Sequence, residues 1–294
     1  MDQISLRAYA KVNLTLDVVG RRPDGYHLLE SVMQSVSLAD TITLKRRPQG
    51  TIIRSDHPEL PLDEHNTCWR AFTAFAGFTG LEGGVEIYIH KRIPLAAGLG
   101  GASADAAAVL HGLHRIYGAK LSLAQLQEIG LQVGADVPFC LQGGTCLVQG
   151  IGERVQALAA FPRASLVLVK PGAAVSTAEV YRRLQPAVHG TRFTAELRQL
   201  LQQGRGLPEL AGVLGNVLET VTEALVPEVV LWKERLLAQG AHGALMSGSG
   251  PSVVGIFSAP DRALGFQERF AGQAEIFVVE LTDVGVEEID GGDR

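Results

Sequence analysis

The stretch Val85-Glu-Ile-Tyr-Ile-His-Lys-Arg-Ile93 runs directly into Pro94-Leu-Ala-Ala-Gly98-Leu-Gly100-Gly101-Ala102-Ser103-Ala-Asp105-Ala-Ala107, and this junction decides how the chain folds. Its first part alternates apolar and polar residues with period two, the pattern of a half-buried strand. From Ser103 the period changes: Ala106, Val109, Leu110, Leu113, Ile116 and Tyr117 recur at helical spacing. Ser103 reads as the N-cap of that helix, with Asp105 in the first turn where the helix dipole favours a carboxylate. The segment is therefore predicted as strand, glycine-rich turn, helix. Glycines let backbone N–H groups approach phosphate oxygens, and a helix N-terminus adds about half a positive charge, so the turn is a candidate phosphate cradle. A plain tight turn satisfies the same residues. No G-x-x-x-x-G-K-[ST] occurs, and a dinucleotide fingerprint starting at Gly98 would meet Ser103 where its third glycine belongs. The loop contains no lysine, so triphosphate charge would fall to the helix end, Mg²⁺, and Lys91 or Lys11.

Upstream, Leu6, Ala8, Ala10, Val12, Leu14, Leu16 and Val18 alternate with Arg7, Tyr9, Lys11, Asn13, Thr15 and Asp17, which predicts one long half-buried strand. Its polar face sets Lys11 and Asn13 about 7 Å apart. Downstream, Ser122-Leu-Ala-Gln125 fits a capping box opening another helix, which Gly134 should close before Ala135-Asp136-Val-Pro138. Asp136 is a candidate general base or a simple cap. A hairpin is predicted from Cys146–Gln149 and Arg154–Leu158, with a domain boundary near residue 160, giving units 1–159 and 160–294. Beyond it come a strand at 165–169, helical patterns over 177–238, a strand at 253–257, a helix after Pro260 and a strand at 275–281. Strands mixed with helices predict an α+β fold. Leu245-Met-Ser247-Gly-Ser-Gly250-Pro-Ser-Val253 reads by itself as a hairpin turn.

Composition narrows the function classes. The chain has 294 residues, 46% hydrophobic, enough for two domains. A formal net charge of -5 offers no basic surface for a nucleic-acid backbone, so no DNA or RNA partner is expected. Cys68, Cys140 and Cys146 lack metal-ligand spacing and read as buried free thiols. His111 and His114 share a helix face without a third ligand, and read as surface residues. There is no apolar signal core and no run of eighteen apolar residues, so neither secretion nor a membrane partner is expected, and the chain reads as cytoplasmic.

Three motifs stand in order over some 240 residues: the strand with Lys11, the loop Pro94 to Ala107, and Ser247-Gly-Ser-Gly250-Pro. Together they resemble the GHMP kinases. Asp24-Gly-Tyr26-His27, Glu64-His-Asn66, Gly134-Ala-Asp136-Val-Pro-Phe139, Pro171-Gly172 and Val175-Ser-Thr177 resemble the branch of that family whose acceptor is a cytidine-diphosphate-linked methylerythritol, in non-mevalonate isoprenoid synthesis. The resemblance implies an N-terminal mixed sheet with helices, a C-terminal ferredoxin-like α/β sandwich, and an active site in the cleft between them, in a monomer or homodimer. It implies ATP and Mg²⁺, with Asp136 as base and Lys11 as its partner. Asn66 and Lys91 would lie near adenine, the phosphates along Pro94, Gly98, Leu99, Gly100, Gly101, Ala102 and Ser103, and Ser103 would be a Mg²⁺ contact. Asn13 would touch the acceptor, Tyr26 and His27 would recognise cytosine, and Tyr181 would stack on its other face. Ala96, Ala102 and Ala104 depart from the usual glycines and serine, and Leu214-Gly-Asn216-Val-Leu-Glu219 carries no assigned role. A homoserine or sugar acceptor, or a catalytically silent ligand sensor, are the competing readings.

Overall fold

The computed structural model describes residues 2–185 and 192–289. Two sheets organise them. In the first, β1 (Gln3–Asn13), β2 (Thr15–Arg21), β3 (His27–Arg47), β4 (Gly50–Ser55), β5 (Gly84–His90), β6 (Thr145–Gly150) and β7 (Arg154–Ala157) are joined by a two-residue strand β9 (Gly215–Asn216) and by β13 (Val286–Ile289). The second sheet has the order β10 (Gly243–Met246), β11 (Val253–Phe257), β8 (Ser165–Lys170), β12 (Glu275–Glu280), antiparallel throughout. That order, with helices between the strands, is the ferredoxin-like arrangement. No helix among the described residues is long and apolar enough to cross a membrane.

The single strand expected over residues 6–18 is two. β1 alternates buried and exposed side chains up to Ala10, and the chain then bends at Leu14. Beyond the bend Lys11, Asn13, Thr15 and Asp17 are as buried as their apolar neighbours, because the second half of the chain covers their face. Thr15 and Leu16 pair in parallel with Gly215 and Asn216, and Thr194 donates its backbone N–H to Asp17 at 2.8 Å. The spine of the first sheet is β3, a 21-residue strand paired with β1, β2, β5 and β6. Period-two reading did not find it, because its centre is buried on both faces and carries Ser31, Gln34, Ser35 and Asp40 among the apolar residues.

Helix α1 (Thr67–Thr79) is capped by Asn66, and α2 (Gly101–Ile116) crosses the first sheet with an almost wholly buried face of alanines, Val109, Leu110 and Leu113. The N-cap is Gly100 at φ 71°, not Ser103. Glycine tolerates the left-handed conformation, so the helix starts as soon as the chain leaves it. Asp105 consequently lies in the second turn, buried. The capping box of α3 (Leu123–Val133) forms as expected, with Ser122 N–H donating to Gln125 Oε1 at 2.9 Å, and Gly134 ends the helix. A short α4 (Val137–Gln142) follows with Asp136 at its N-cap position. The β6–β7 hairpin forms where expected, Cys146 facing Ala157 and Gln149 facing Arg154.

The helical stretch at 177–238 breaks into α5 (Thr177–Arg183), α6 (Phe193–Gln202), α7 (Leu207–Ala211), α8 (Glu219–Leu225) and α9 (Glu228–Ala238), interrupted by β9; its portion at 186–191 lies outside the described residues. The last helix, α10 (Pro260–Arg269), packs on the second sheet. β13 returns to the first sheet, where Leu6 pairs with Glu288, and His111 and Arg115 of α2 meet that glutamate at 3.3 and 2.6 Å. All three cysteines are buried free thiols, and burial pushes Cys146 up to about 11.

Candidate active site

The polar end of β1 forms the floor of a cleft of about 1100 Å³. Lys11 Nζ donates to Asn13 Oδ1 at 2.7 Å and lies 3.3 Å from Asp136 Oδ2. Asn13 is fixed in turn, its Nδ2 donating to Ser31 Oγ at 2.8 Å, and Ser31 donating to the Thr15 carbonyl at 2.6 Å. Lys11 is 5% exposed and Asp136 31%, so the ammonium is enclosed while its carboxylate partner reaches the open cleft. Asp136 makes no side-chain capping bond to α4, which leaves that carboxylate available to a ligand.

The glycine-rich turn closes over this pair. Lys11 N–H donates to the Leu99 carbonyl at 2.9 Å. Gly98 and Gly100 have φ of 76° and 71°. A Cβ at Gly98 would lie 2.3 Å from the Ser247 carbonyl, and one at Gly100 would lie 2.8 Å from Lys11 Cγ. Both positions therefore require glycine on two grounds, conformation and space. The residues 247–252 do form the β10–β11 hairpin turn, and the turn seats itself against the first glycine loop: Ser247 Oγ donates to the Gly98 carbonyl at 3.0 Å and accepts from Asn13 N at 3.2 Å. Ala96 also takes a left-handed φ, 51°, a conformation that favours glycine.

At the other end of the cleft, Tyr26, His27 and Tyr181 form a wall. The His27 ring stacks on Tyr181, centroids 5.3 Å apart and planes 28° apart. The expected partner of cytosine, Tyr181, thus packs one ring face on His27, since α5 brings the tyrosine against the start of β3. Tyr26 is 65% exposed and presents an open ring. Thr177, opening α5, meets Ser249 at 2.8 Å, tying this wall to the hairpin turn.

Lys11, Asn13, Tyr26, His27, Gly98, Gly100, Ser103, Asp136 and Tyr181 thus line one cleft. Pro94, Leu99, Gly101 and Ala102 build the loop without lining it. Two expected residues are elsewhere. Asn66 spends its side chain on α1, accepting from Cys68 N at 2.8 Å and donating to the Pro61 carbonyl at 2.7 Å. Lys91 is 2% exposed, with its ammonium bonded to Asp40 and, at 2.8 Å, to Asp105. With its ammonium on these two carboxylates, Lys91 is not among the residues that line the cleft. Asp40 also accepts from Arg92 N and Ile93 N at 2.5 and 2.8 Å, locking the strand-to-loop corner. Burial, with Asp40 beside it, holds the Asp105 carboxyl well above the usual range despite the opposing pull of Lys91.

Sequence reading missed a brace behind the hairpin turn. Asn216 Nδ2 donates to the carbonyls of Met246 and Gly248 at 2.8 and 2.7 Å. Glu219 accepts from Met246 N at 2.6 Å and from Lys233 Nζ at 2.6 Å. Nothing in the local pattern of residues 214–219 signals these partners, which lie 14 to 32 positions away.

Family models for the GHMP kinases N terminal domain and the GHMP kinases C terminal match residues 66–144 and 193–274. The chain belongs to the GHMP kinase family. It is 44% identical over 273 residues to the 4-diphosphocytidyl-2-C-methyl-D-erythritol kinase of Alkaliphilus metalliredigens, covering 92% of this chain and 94% of that protein. It is 43% identical over 281 residues to the kinase of the same name from Acetivibrio thermocellus, covering 95% and 99%. Among solved structures, a 4-(cytidine 5'-diphospho)-2C-methyl-D-erythritol kinase superposes with a TM-score of 0.79 at 36% identity, covering 95% of this chain and 99% of that one. The homoserine kinase from Cytophaga hutchinsonii superposes at 0.82 with 22% identity over 98% of both chains, a likeness of fold. The kinase is thus two-domain and α+β, with the cleft at the meeting of its three family motifs.

Proposed function

We propose that this kinase moves the γ-phosphoryl group of ATP onto the 2-hydroxyl of 4-diphosphocytidyl-2-C-methyl-D-erythritol, giving the 2-phosphate and ADP. The observation that carries the reading is the Lys11–Asp136 pair, 3.3 Å apart, set between a glycine-rich helix start on one side and an aromatic wall on the other. Phosphoryl transfer needs an in-line hydroxyl, a group to take its proton, and positive charge beside the moving phosphoryl group. Asp136 takes the proton as the acceptor oxygen bonds to phosphorus and the bond to the β-phosphate oxygen breaks. Lys11, held by Asn13, places its ammonium where charge builds on the transferring oxygens. The amides opening α2 face the phosphates.

A Mg²⁺ ion fits the oxygen donors here, since Ser103 and Asp136 both line the cleft. Asp105 is unsuited, because Lys91 and burial occupy it. Ser103 is the residue we assign to hold the ion, which would supply neutralisation of triphosphate charge. The cytosine rests on the exposed ring of Tyr26, while His27, backed by Tyr181, offers ring and backbone groups to the base edge. We infer that both substrates come from the cytoplasm.

ADP release from MgATP tests this against a panel of the cytidine compound, its uridine analogue, homoserine, galactose and mevalonate. Turnover selective for the cytidine compound is expected. Asp136→Asn should lower kcat by at least about 10²-fold, the contribution of a positioned base, while MgATP still binds. Near-normal turnover in that variant would sink the base assignment.

A further inference from the structure

With Lys91 out of the cleft, Lys11 is the one lysine among the described residues that line it, and its ammonium is set beside Asp136 at the point of transfer, leaving the rest of the triphosphate without a protein cation from a lysine. We propose that Arg70 supplies it, as a further phosphate-binding residue for ATP. Arg70 lies on α1 and lines the cleft beside Ser103 and the Val133–Asp136 segment. One turn earlier on the same helix face, Thr67 Oγ1 donates to the Ala102 carbonyl at 2.8 Å, pinning α1 to the first turn of α2. Arg70 Nη2 donates to the Val133 carbonyl at 2.7 Å, which aims the guanidinium across the end of α3. That end adjoins the phosphate loop: a Cβ on Gly134 would lie 3.7 Å from Ser103 Oγ. The arginine is therefore held by two anchors at the point where the α2 amides open.

Its charge is uncommitted. No described carboxylate forms an ion pair with Arg70; of the other arginines lining the cleft, Arg182 is paired with Glu179, and Arg21, which donates to the Gly25 carbonyl, stands at the His27 end away from the glycine loop. With one nitrogen spent on a carbonyl, the guanidinium keeps four of its five N–H donors for a phosphate, and its fork geometry suits two phosphate oxygens. The position also explains how a glycine loop with no lysine of its own can hold a triphosphate.

This inference rests on the kinase reading, and the experiment separates the two. MgATP, MgADP and AMP are titrated calorimetrically into full-length wild type, Arg70→Gln and Arg70→Lys. The glutamine amide keeps a donor for Val133 without the charge. Arg70→Gln should weaken MgATP about 10- to 100-fold, the range for one charge-assisted contact, and leave AMP within about twofold. Arg70→Lys should fall between, and it gives the same reading if the glutamine variant melts early. Equal loss for ATP and AMP, or unchanged ATP affinity with reduced turnover, would overturn the proposal and make Arg70 a support of the Asp136 segment. Wild type that binds no MgATP would overturn the kinase reading itself.

Discussion

Gly100→Ala is the sharpest probe of how the glycine loop and the catalytic floor depend on each other. A side chain at φ 71° costs about 1–2 kcal/mol in backbone strain alone. The new Cβ would also stand 2.8 Å from Lys11 Cγ and 3.1 Å from Cε, where unstrained carbon contacts are about 3.5–4 Å. Lys11 is enclosed, so its stem has to move by roughly the missing distance, close to 1 Å. The ammonium then leaves its place 3.3 Å from Asp136. A displacement of this size in a positioning group costs about 10² in rate. Gly118→Ala is the control: it has the same kind of backbone, φ 64°, with nothing within 4 Å of the added carbon. Steady-state kinetics and melting curves are measured on both. Both variants should melt a few degrees early, about 2–4 °C per kcal/mol for a chain of this size. Only Gly100→Ala should lose kcat, about 100-fold. A Gly100→Ala enzyme with kcat within about threefold of wild type would refute the coupling.

Two further outcomes follow from buried groups. Burial raises the Asp105 carboxyl in the folded state, so its proton is bound more tightly folded than unfolded. Its contribution to stability is full below the unfolded value, about 3.9, and declines as pH rises toward the folded value. Asp105→Asn removes this component, and urea midpoints of the variant should change less from pH 4 upward than those of wild type; a parallel pH profile would refute the assignment. Glu219→Ala leaves the Met246 N–H without its acceptor, which costs about 1–3 kcal/mol and loosens the turn behind Ser247. An early melt and a kcat/KM for ATP reduced about tenfold are expected, with Glu219→Gln recovering much of both because it keeps the acceptor.

Local chemistry made much of the chain legible. The strand–glycine turn–helix at 85–116, the capping box at Ser122, the β6–β7 hairpin and the strands at 165–169, 253–257 and 275–281 each form where the pattern put them, within a residue or two at most ends. Each is specified by neighbours in sequence: a period, a cap, or a glycine at a positive φ. The errors fall where distant residues set the outcome. Ser103 looked like a cap because its chemistry suits one, but two left-handed glycines start the helix at Gly101. β3 escaped notice because burial of both faces at its centre erases its alternation.

The site divides in the same way. Residue types and order along the sequence determined which groups are chemically able to act: Lys11, Asp136, the glycine loop and the Tyr26–His27 pair. Only the tertiary structure decided which of them meet. It set the Lys91 ammonium against Asp40 and Asp105 and gave the Asn66 side chain to a helix cap. It brought in Asn216 and Glu219 from a segment without a motif. The reason is that a charge is free or spent according to what lies within a few ångströms of it, and the partners of Lys91 lie 51 and 14 residues away in sequence.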